Sequence, residues 1–442
     1  MTTSRSRLSS SIAKSITTSL LTCALLLPIH AAFTLDTTFS SGGRLTISFP
    51  DSTSTYTSQA FRVFVQPSNR IVVGGTFTNS TPDGGLTGVA FVGLTPTGGL
   101  DSGFGSGGSA IDWRSDAFTS FSDALMYADG STLRLSQVFR LPVGSSTVRT
   151  VRLTANGAED GVFASNVSIG PCCFGFFNAR PVQIAVRSDG KILALITDQG
   201  EYFLYRLNPD GTRDTTFGTN GVLGIVFNKF SPANFVDMIA LSDGKILLVG
   251  HVPPYDFTNG SSEFFFARLS ETGNWDKSFG RVGTLRVPFG PGVTGNIRKA
   301  LLQADGKILL SGSVTSSDAD VWMARFRPNG RRDTTFGNDG VVIQDLAPGD
   351  TDVANSLAIS PDGKIRIAGQ LGPSSASSFL VARFSGNGAF EEQTSFPFTA
   401  GQYAVASDIT LQPDGKLLVA GYTRNPNTSI TGSVMAIARL TE

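Results

Sequence analysis

Apolar residues in this chain gather in short runs rich in Val, Ile, Leu and Phe, and each run stops at a turn signal. Ser356–Ser360 runs up to Asp362-Gly363, and Lys307–Gly312 leaves Asp305-Gly306. Short runs bounded in this way predict β-strands, and no helical period stands out beyond the N-terminus. The turn recurs at Asp129-Gly130, Asp189-Gly190, Asp243-Gly244, Asp305-Gly306, Asp362-Gly363 and Asp414-Gly415, with a degenerate copy at Ser68-Asn69. Asp-Gly is favoured where a two-residue turn needs positive φ, so each copy predicts a tight hairpin.

Each hairpin sits in a longer unit of about 57 residues, the scale of propeller repeats. A strand precedes the turn, and a second opens at Lys191, Lys245, Lys307, Lys364 or Lys416. A third ends in Arg-Leu or Arg-Phe, as at Val151–Leu153, Tyr205–Leu207, Ala267–Leu269, Ala324–Phe326, Ala382–Phe384 and Ala438–Leu440. A fourth follows an Asp-x-x-Phe-Gly segment, as at Val341–Gln344. The fold class expected is all-β: a seven-bladed β-propeller of four-stranded antiparallel blades. An open solenoid fits less well, because its two end faces need caps and none is visible.

The order Asp-Gly-Lys-Ile-Leu, Ala-Arg-Leu/Phe-x-Pro-Asn-Gly, Asp-x-x-Phe-Gly-x-x-Gly, fullest at Ala324–Gly340, resembles the delta-60 repeat of bacterial secreted and surface proteins. The resemblance covers nearly all of residues 33–442 and implies a β-propeller in a bacterial secreted setting. It implies no activity and no catalytic residues.

The repeat is circularly permuted. The segment Leu35–Gly43 carries an Asp-x-x-Phe signature, whereas Ala438–Leu440 is a third strand without a fourth. Arg44–Phe49 is therefore expected to pair beside Ser433–Leu440, so that the N-terminal strand completes the last blade and removes an open edge. An arginine precedes an acid by eight positions at Arg152–Asp160, Arg206–Asp214, Arg268–Asp276, Arg325–Asp333 and Arg383–Glu391. Asp101 lacks such a partner because Gly93 stands in the arginine position, and Arg439 has nothing eight places on. Asp36 is expected to serve Arg439. One such pair per blade reads as a structural fastening.

If the strands alternate, the Asp-Gly turns and the Pro-Asn-Gly straps share one face, and the connections of variable length share the other. Function is expected on the variable face, since a rigid scaffold carries its chemistry on loops. Six positions before each turn aspartate, or the equivalent, stand Arg62, Asp123, Gln183, Asp237, Lys299, Ser356 and Asp408, all polar. They are expected early on the innermost strand, as a ring near the channel mouth of that face. They read either as a mixed-charge site that meets a ligand or ion, or as a polar girdle bonded between blades. Aromatic residues in the variable loops (Phe174, Phe176, Phe177, Tyr255, Phe257, Tyr403 and Tyr422) read either as sugar or protein contacts or as local packing.

Composition agrees with an all-β chain: 442 residues hold 50 Gly and 33 Phe. Arg5, Arg7 and Lys14, an apolar run Leu20–Ile29 and Ala31-Ala32 read as a secretory signal peptide, residues 1–32, too short to span a bilayer. Cys23 within that run gives only a weak lipid-anchor signal. Removing the segment takes away three basic residues and no acid, leaving 32 Lys+Arg against 35 Asp+Glu, a net charge of −3. Nothing in that balance suggests nucleic acid. Residues 33–442 are expected to form one domain, a monomer in a secreted or periplasmic setting, with no membrane span. They keep only Cys172 and Cys173, which read as a vicinal disulfide or as two small semi-buried residues.

The chemistry in view is sparse. His251, the one histidine outside the leader, opens a loop and reads as solvated, so a histidine-dependent metal site or triad would depend on it alone. No phosphate loop or dinucleotide fingerprint occurs, no cofactor is expected, and the Phe-Gly-x-x-Gly segments read as turns. Asp350 and Asp352 lack the spacing of a calcium loop, and no metal site is assigned. The function expected is non-catalytic binding of an extracellular protein or carbohydrate by the variable face. The alternative is a hydrolase or lyase using Asp123, Asp237 and Asp408, which needs two carboxyls roughly 5–9.5 Å apart.

Overall fold

A computed structural model describes residues 32–47, 55–80, 87–112, 117–140, 145–163, 179–225, 234–252, 262–289, 293–315, 318–373, 375–399, 402–424 and 432–442. Phe33–Glu442 forms one unit. Blade 1 is β3 (Thr55–Val65), β4 (Ile71–Ser80), β5 (Thr87–Leu94) and β6 (Ser109–Asp112). Blade 2 shows β7 (Ala117–Met126), β8 (Thr132–Arg140) and β9 (Ser145–Leu153); its expected fourth strand falls on residues 164–178, outside those described. Blade 3 is β10 (Arg180–Val186), β11 (Ile192–Asp198), β12 (Glu201–Leu207) and β13 (Val222–Ile225). Blade 4 is β14 (Asn234–Ala240), β15 (Ile246–Val252), β16 (Glu263–Leu269) and β17 (Thr284–Pro288). Blade 5 is β18 (Thr294–Leu302), β19 (Ile308–Thr315), β20 (Ala319–Phe326) and β21 (Val341–Gln344). Blade 6 is β22 (Asp352–Ile359), β23 (Ile365–Leu371), β24 (Ser378–Phe384) and β25 (Phe390–Phe396).

Blade 7 joins β26 (Tyr403–Leu411), β27 (Leu417–Arg424) and β28 (Val434–Thr441) to two N-terminal strands, β1 (Thr34–Leu35) and β2 (Arg44–Ile47). Both N-terminal strands pair antiparallel with β28, with Leu35 opposite Leu440 and Arg44 opposite Ala438. The N-terminal strand thus completes the last blade. First strands of successive blades touch all the way round, β26 meeting β3 to shut the ring, so they line its inside.

Middle strands are buried along nearly their whole length, as in β15 and β16, whereas outer β17 is half exposed. A sheet covered on both faces demands a continuous apolar run, and an outer strand does not. The core lies between blades: Leu247, Val249, Phe264 and Phe266 of blade 4 pack on Ile308, Leu310, Trp322 and Phe326 of blade 5. No helix of the described residues is long and apolar enough to cross a membrane.

The Asp-Gly turns differ from the expected two-residue form. In Ser360–Lys364, Gly363 N donates to Ser360 O at 2.8 Å and Ser360 N to Lys364 O at 3.0 Å, making a three-residue loop. Only the glycine has positive φ, from 78° at Gly306 to 83° at Gly130, Gly244 and Gly415, with Asn69 at 64° in the degenerate copy. This is the pattern of a turn closed by one left-handed residue. Aspartate is placed there by its side chain: Asp189 Oδ1 accepts from Lys191 N at 3.0 Å, and Asp305 Oδ1 from Lys307 N at 3.1 Å.

Candidate functional site

On the strap face each blade is fastened to the next by one arginine. Arg206 Nε donates to Asp214 at 2.7 Å, Arg268 to Asp276 at 2.8 Å, Arg325 to Asp333 at 2.8 Å, and Arg152 to Asp160 at 2.7 Å. Arg383 meets Glu391 at 2.9 Å. The second arm of the same arginine crosses to the following blade, where Arg206 reaches Glu271 O and Arg268 reaches Pro328 O, both at 2.7 Å. Below each guanidinium lies the phenylalanine of Asp-x-x-Phe, 4.4 Å away for Arg268 over Phe279 and 4.7 Å for Arg325 over Phe336. That ring seats on a turn glycine of the next blade: a Cβ on Gly330 would come within 2.9 Å of Phe279.

Two blades vary the scheme. Asp101 is not without a partner: Arg70, in the position held elsewhere by the turn lysine, donates to it at 2.6 Å. In blade 6, which has no Asp-x-x-Phe, Phe33 lies 5.3 Å under Arg383 and its N–H donates to Glu392 at 2.8 Å. Lysines converge on the same acids, with Lys191 on Asp214 at 2.6 Å and Lys416 on Asp36 at 3.0 Å. Asp36 itself meets Arg439 at 2.8 Å.

The polar ring lies deeper than expected. Each of its members is followed by three more residues of its strand toward the Asp-Gly turn, while three to seven precede it from the loop face. Every first strand carries a β-bulge directly before this position, at Ala60/Arg62, Phe121/Asp123, Pro181/Gln183, Phe235/Asp237, Ile297/Lys299, Ala354/Ser356 and Ala406/Asp408. The extra residue turns the polar side chain toward the neighbouring blade. Glycine stands opposite the bulge in five blades, as Gly75, Gly250, Gly312, Gly369 and Gly421, where a Cβ would fall within 1.8–2.3 Å of a carbonyl oxygen of the first strand. That glycine, six positions after the turn glycine or its equivalent, is the sequence signal that marks the bulge.

The acids of the ring stand on blades 2, 4 and 7, and each bonds in both directions. Asp123 accepts from Arg62 Nε of blade 1 at 2.8 Å and from Ile184 N of blade 3 at 3.2 Å. Asp237 accepts from Gln183 at 2.8 Å and from Ala300 N at 2.9 Å, and also pairs with Lys299 at 3.1 Å. Asp408 accepts from Ser356 Oγ at 2.8 Å and from Val63 N at 3.0 Å. The three carboxylates are 2, 2 and 8% exposed. Burial alone would lower the Arg62 guanidinium, but Asp123, Asp408 and Asp237 hold it above its ordinary range.

On the loop face, Tyr422 and Tyr403 lie with ring centroids 6.2 Å apart, and Arg424 caps Tyr403 at 4.5 Å. Burial first, then Tyr403, pushes the Tyr422 hydroxyl up to about 12. Phe174, Phe176, Phe177, Tyr255, Phe257, Cys172 and Cys173 lie outside the described residues. His251 is not a loop residue: it pairs with Asn234 and Phe264 within β15 and is half-buried. Burial, then the charge of Arg298, holds it below the usual histidine range. A cavity of about 300 Å³ opens on the flank between blades 1 and 2, where buried Arg134 pairs with Asp112.

The repeats match the model of a family described as a domain of unknown function (DUF5122) beta-propeller, over residues 66–104, 187–217, 241–279, 303–336 and 412–442. These segments run from the hairpin turn to the strap of blades 1, 3, 4 and 5 and from the turn through the third strand of blade 7, so the protein is a β-propeller built of sequence repeats. No curated protein matches the chain. Among solved structures it is similar to the β-propeller domain of the Trilobed protease from Pyrococcus furiosus, at 11% identity and TM-score 0.44, covering 83% of this chain and 89% of that one. An α-L-arabinofuranosidase of Fusarium graminearum shows 8% identity and TM-score 0.44 over 73% and 93% of the two chains. Drosophila Plexin A, in complex with Semaphorin 1b, shows 10% and 0.42 over 90% and 86%.

Proposed function

We propose that this protein is a secreted or periplasmic bacterial propeller of the delta-60 type, monomeric and non-catalytic, that binds an extracellular protein or carbohydrate through its loop face. One observation carries the reading: the repeated polar chemistry is spent on holding blades together. Asp123, Asp237 and Asp408 each satisfy a neighbouring side chain and a neighbouring backbone N–H. These carboxylates are buried and hold donors from both neighbouring blades, the placement of structural ties and not of groups presented to a substrate. Chemistry that differs from copy to copy is left to the loop face, where Tyr422 stands and where Tyr255 and Phe257 fall in sequence.

Glycan-array and pull-down binding by residues 33–442 tests the site. Replacing Tyr255, Phe257 and Tyr422 together by alanine is expected to abolish capture while the far-ultraviolet spectrum stays that of a β-protein. Undiminished capture by the folded triple variant would remove the loop aromatics from the site. Fractionation of producing cells checks the address: retention of the chain in the cytoplasm would contradict it.

A further inference from the structure

Three carboxylates meet on the loop face at the junction of blades 5 and 6. Asp320 is the second residue of β20, Asp345 directly follows β21, and Asp352 opens β22. One oxygen from each lies within 4.8 Å of the others. Asp352 is wholly buried and uses only half of its carboxylate: Oδ2 accepts from Leu346 N at 2.6 Å and Ala347 N at 2.8 Å, fixing the turn after Asp345. Its Oδ1 is buried and accepts no hydrogen bond.

A buried acceptor left unmade costs about 1–3 kcal/mol, more when charged, unless something compensates it. Its neighbours in the cluster, Asp320 and Asp345, are acids that offer no donor when ionised, so a cation is the partner that all three can share. Calcium takes oxygen ligands at about 2.3–2.6 Å, so two oxygens on one ion stand no more than about 5 Å apart. The cluster meets that limit as it stands, and magnesium, which dehydrates reluctantly and keeps several waters, suits a site of protein carboxylates less.

We propose that Asp320, Asp345 and Asp352 form a binding site for a hard divalent cation of the calcium class, which ties the first strand of blade 6 to the third and fourth strands of blade 5. Water and loop carbonyls complete the shell. The ligands come from three strand ends on two blades, so the linear spacing of a calcium loop is absent. This site is independent of the macromolecular ligand proposed above, and either can fail alone.

The test is calorimetric titration of calcium chloride into residues 33–442 stripped with a chelator, with thermal unfolding alongside. One ion per chain is expected, with Kd on the order of 10⁻⁴–10⁻³ M, as in extracellular modules. Calcium should raise the melting temperature, since a ligand of the folded state stabilises it, and magnesium should bind at least tenfold more weakly. Asp345 is exposed, so Asp345→Asn tests the site without threatening the core and should weaken calcium binding at least tenfold; Asp352→Asn should abolish it. No calcium heat at millimolar concentration, or unchanged affinity in folded Asp345→Asn, would overturn the proposal.

Discussion

Arg439 and Asp36 stand 403 positions apart in the sequence and meet at 2.8 Å, Arg439 Nε donating to Asp36 Oδ2. Elsewhere the strap acid lies eight positions after its arginine in the same blade, or, for Asp101, beside an arginine of its own blade. In blade 7 the acid arrives from the other end of the chain. The contact that fastens one blade to the next is here also the contact that closes the ring.

Breaking this pair should therefore cost more than breaking an exposed one. Both side chains are buried, and Asp36→Asn leaves Arg439 without its anion and Lys416 with only the exposed Asp414. The expected loss is about 3–5 kcal/mol, the range for removing one member of a buried pair. Lys416→Met removes a partner that is 30% exposed and should cost within about 1 kcal/mol. Urea midpoints of the two variants check the order; equal midpoints would refute it.

The same straps set the response to acid. Burial tends to raise Asp333, but the Thr335 hydroxyl and N–H, then Arg325 and Lys307, bring it down from 3.8 to about 2. Asp36, Asp214 and Asp276 are also held below the usual carboxylate range. Below pH 3.8 the unfolded carboxyls take up protons before the folded ones, so the straps' contribution is whole above about pH 5 and is lost as pH falls toward 2. The urea midpoint should decline steeply below pH 4 as this contribution is lost. Asp333→Asn should make that decline shallower; an identical acid slope would refute the assignment.

How much of this was legible depends on whether a feature repeats along the chain. Turn chemistry repeats, so blade number, strand count and closure could be read from Asp362-Gly363, Lys364 and Arg383 and their copies. The ring positions could also be found by counting, but not their depth, because a bulge adds a residue at Phe61 or Ser407 without changing residue type there. Asp101 lacks an arginine eight positions before it because its partner stands beside the hairpin turn, as Arg70. The acid cluster leaves no linear trace, since Asp320 and Asp352 are brought together only by the packing of two blades.

The bulge does leave one trace that can be tested. A Cβ on Gly369 would sit 1.8 Å from Val353 O, and one on Gly421 would sit 2.0 Å from Val405 O, so the strands must part to admit it. Gly369→Ala or Gly421→Ala should cost about 3 kcal/mol or more, the upper end for overpacking, because the obstacle is backbone. Gly224 in β13 is the control: its nearest neighbour would be Phe203 at 4.0 Å, and alanine there should change stability by less than about 0.5 kcal/mol. Denaturant unfolding of the variants decides, and a tolerated alanine at Gly369 would mean that the bulge relaxes without loss.

Closure can be tested by removing it and adding it back. Residues 33–47 touch three blades: Phe33 N bonds Glu392 of blade 6, β1 and β2 pair with β28 of blade 7, and Ser40 N donates to Thr97 O of blade 1 at 2.8 Å. Without them β28 presents an unpaired edge, which invites pairing with another chain. A chain beginning at residue 48 should therefore self-associate, eluting earlier than residues 33–442 in size-exclusion chromatography with light scattering. A synthetic peptide of residues 33–47 should restore the elution of the full unit by adding its strands to that edge. The same peptide carrying Asp36→Asn should restore it less well, since it pairs through its backbone but brings no anion to Arg439. If both peptides rescue equally, the strands close the ring and the ion pair only follows; if neither does, closure requires the covalent chain.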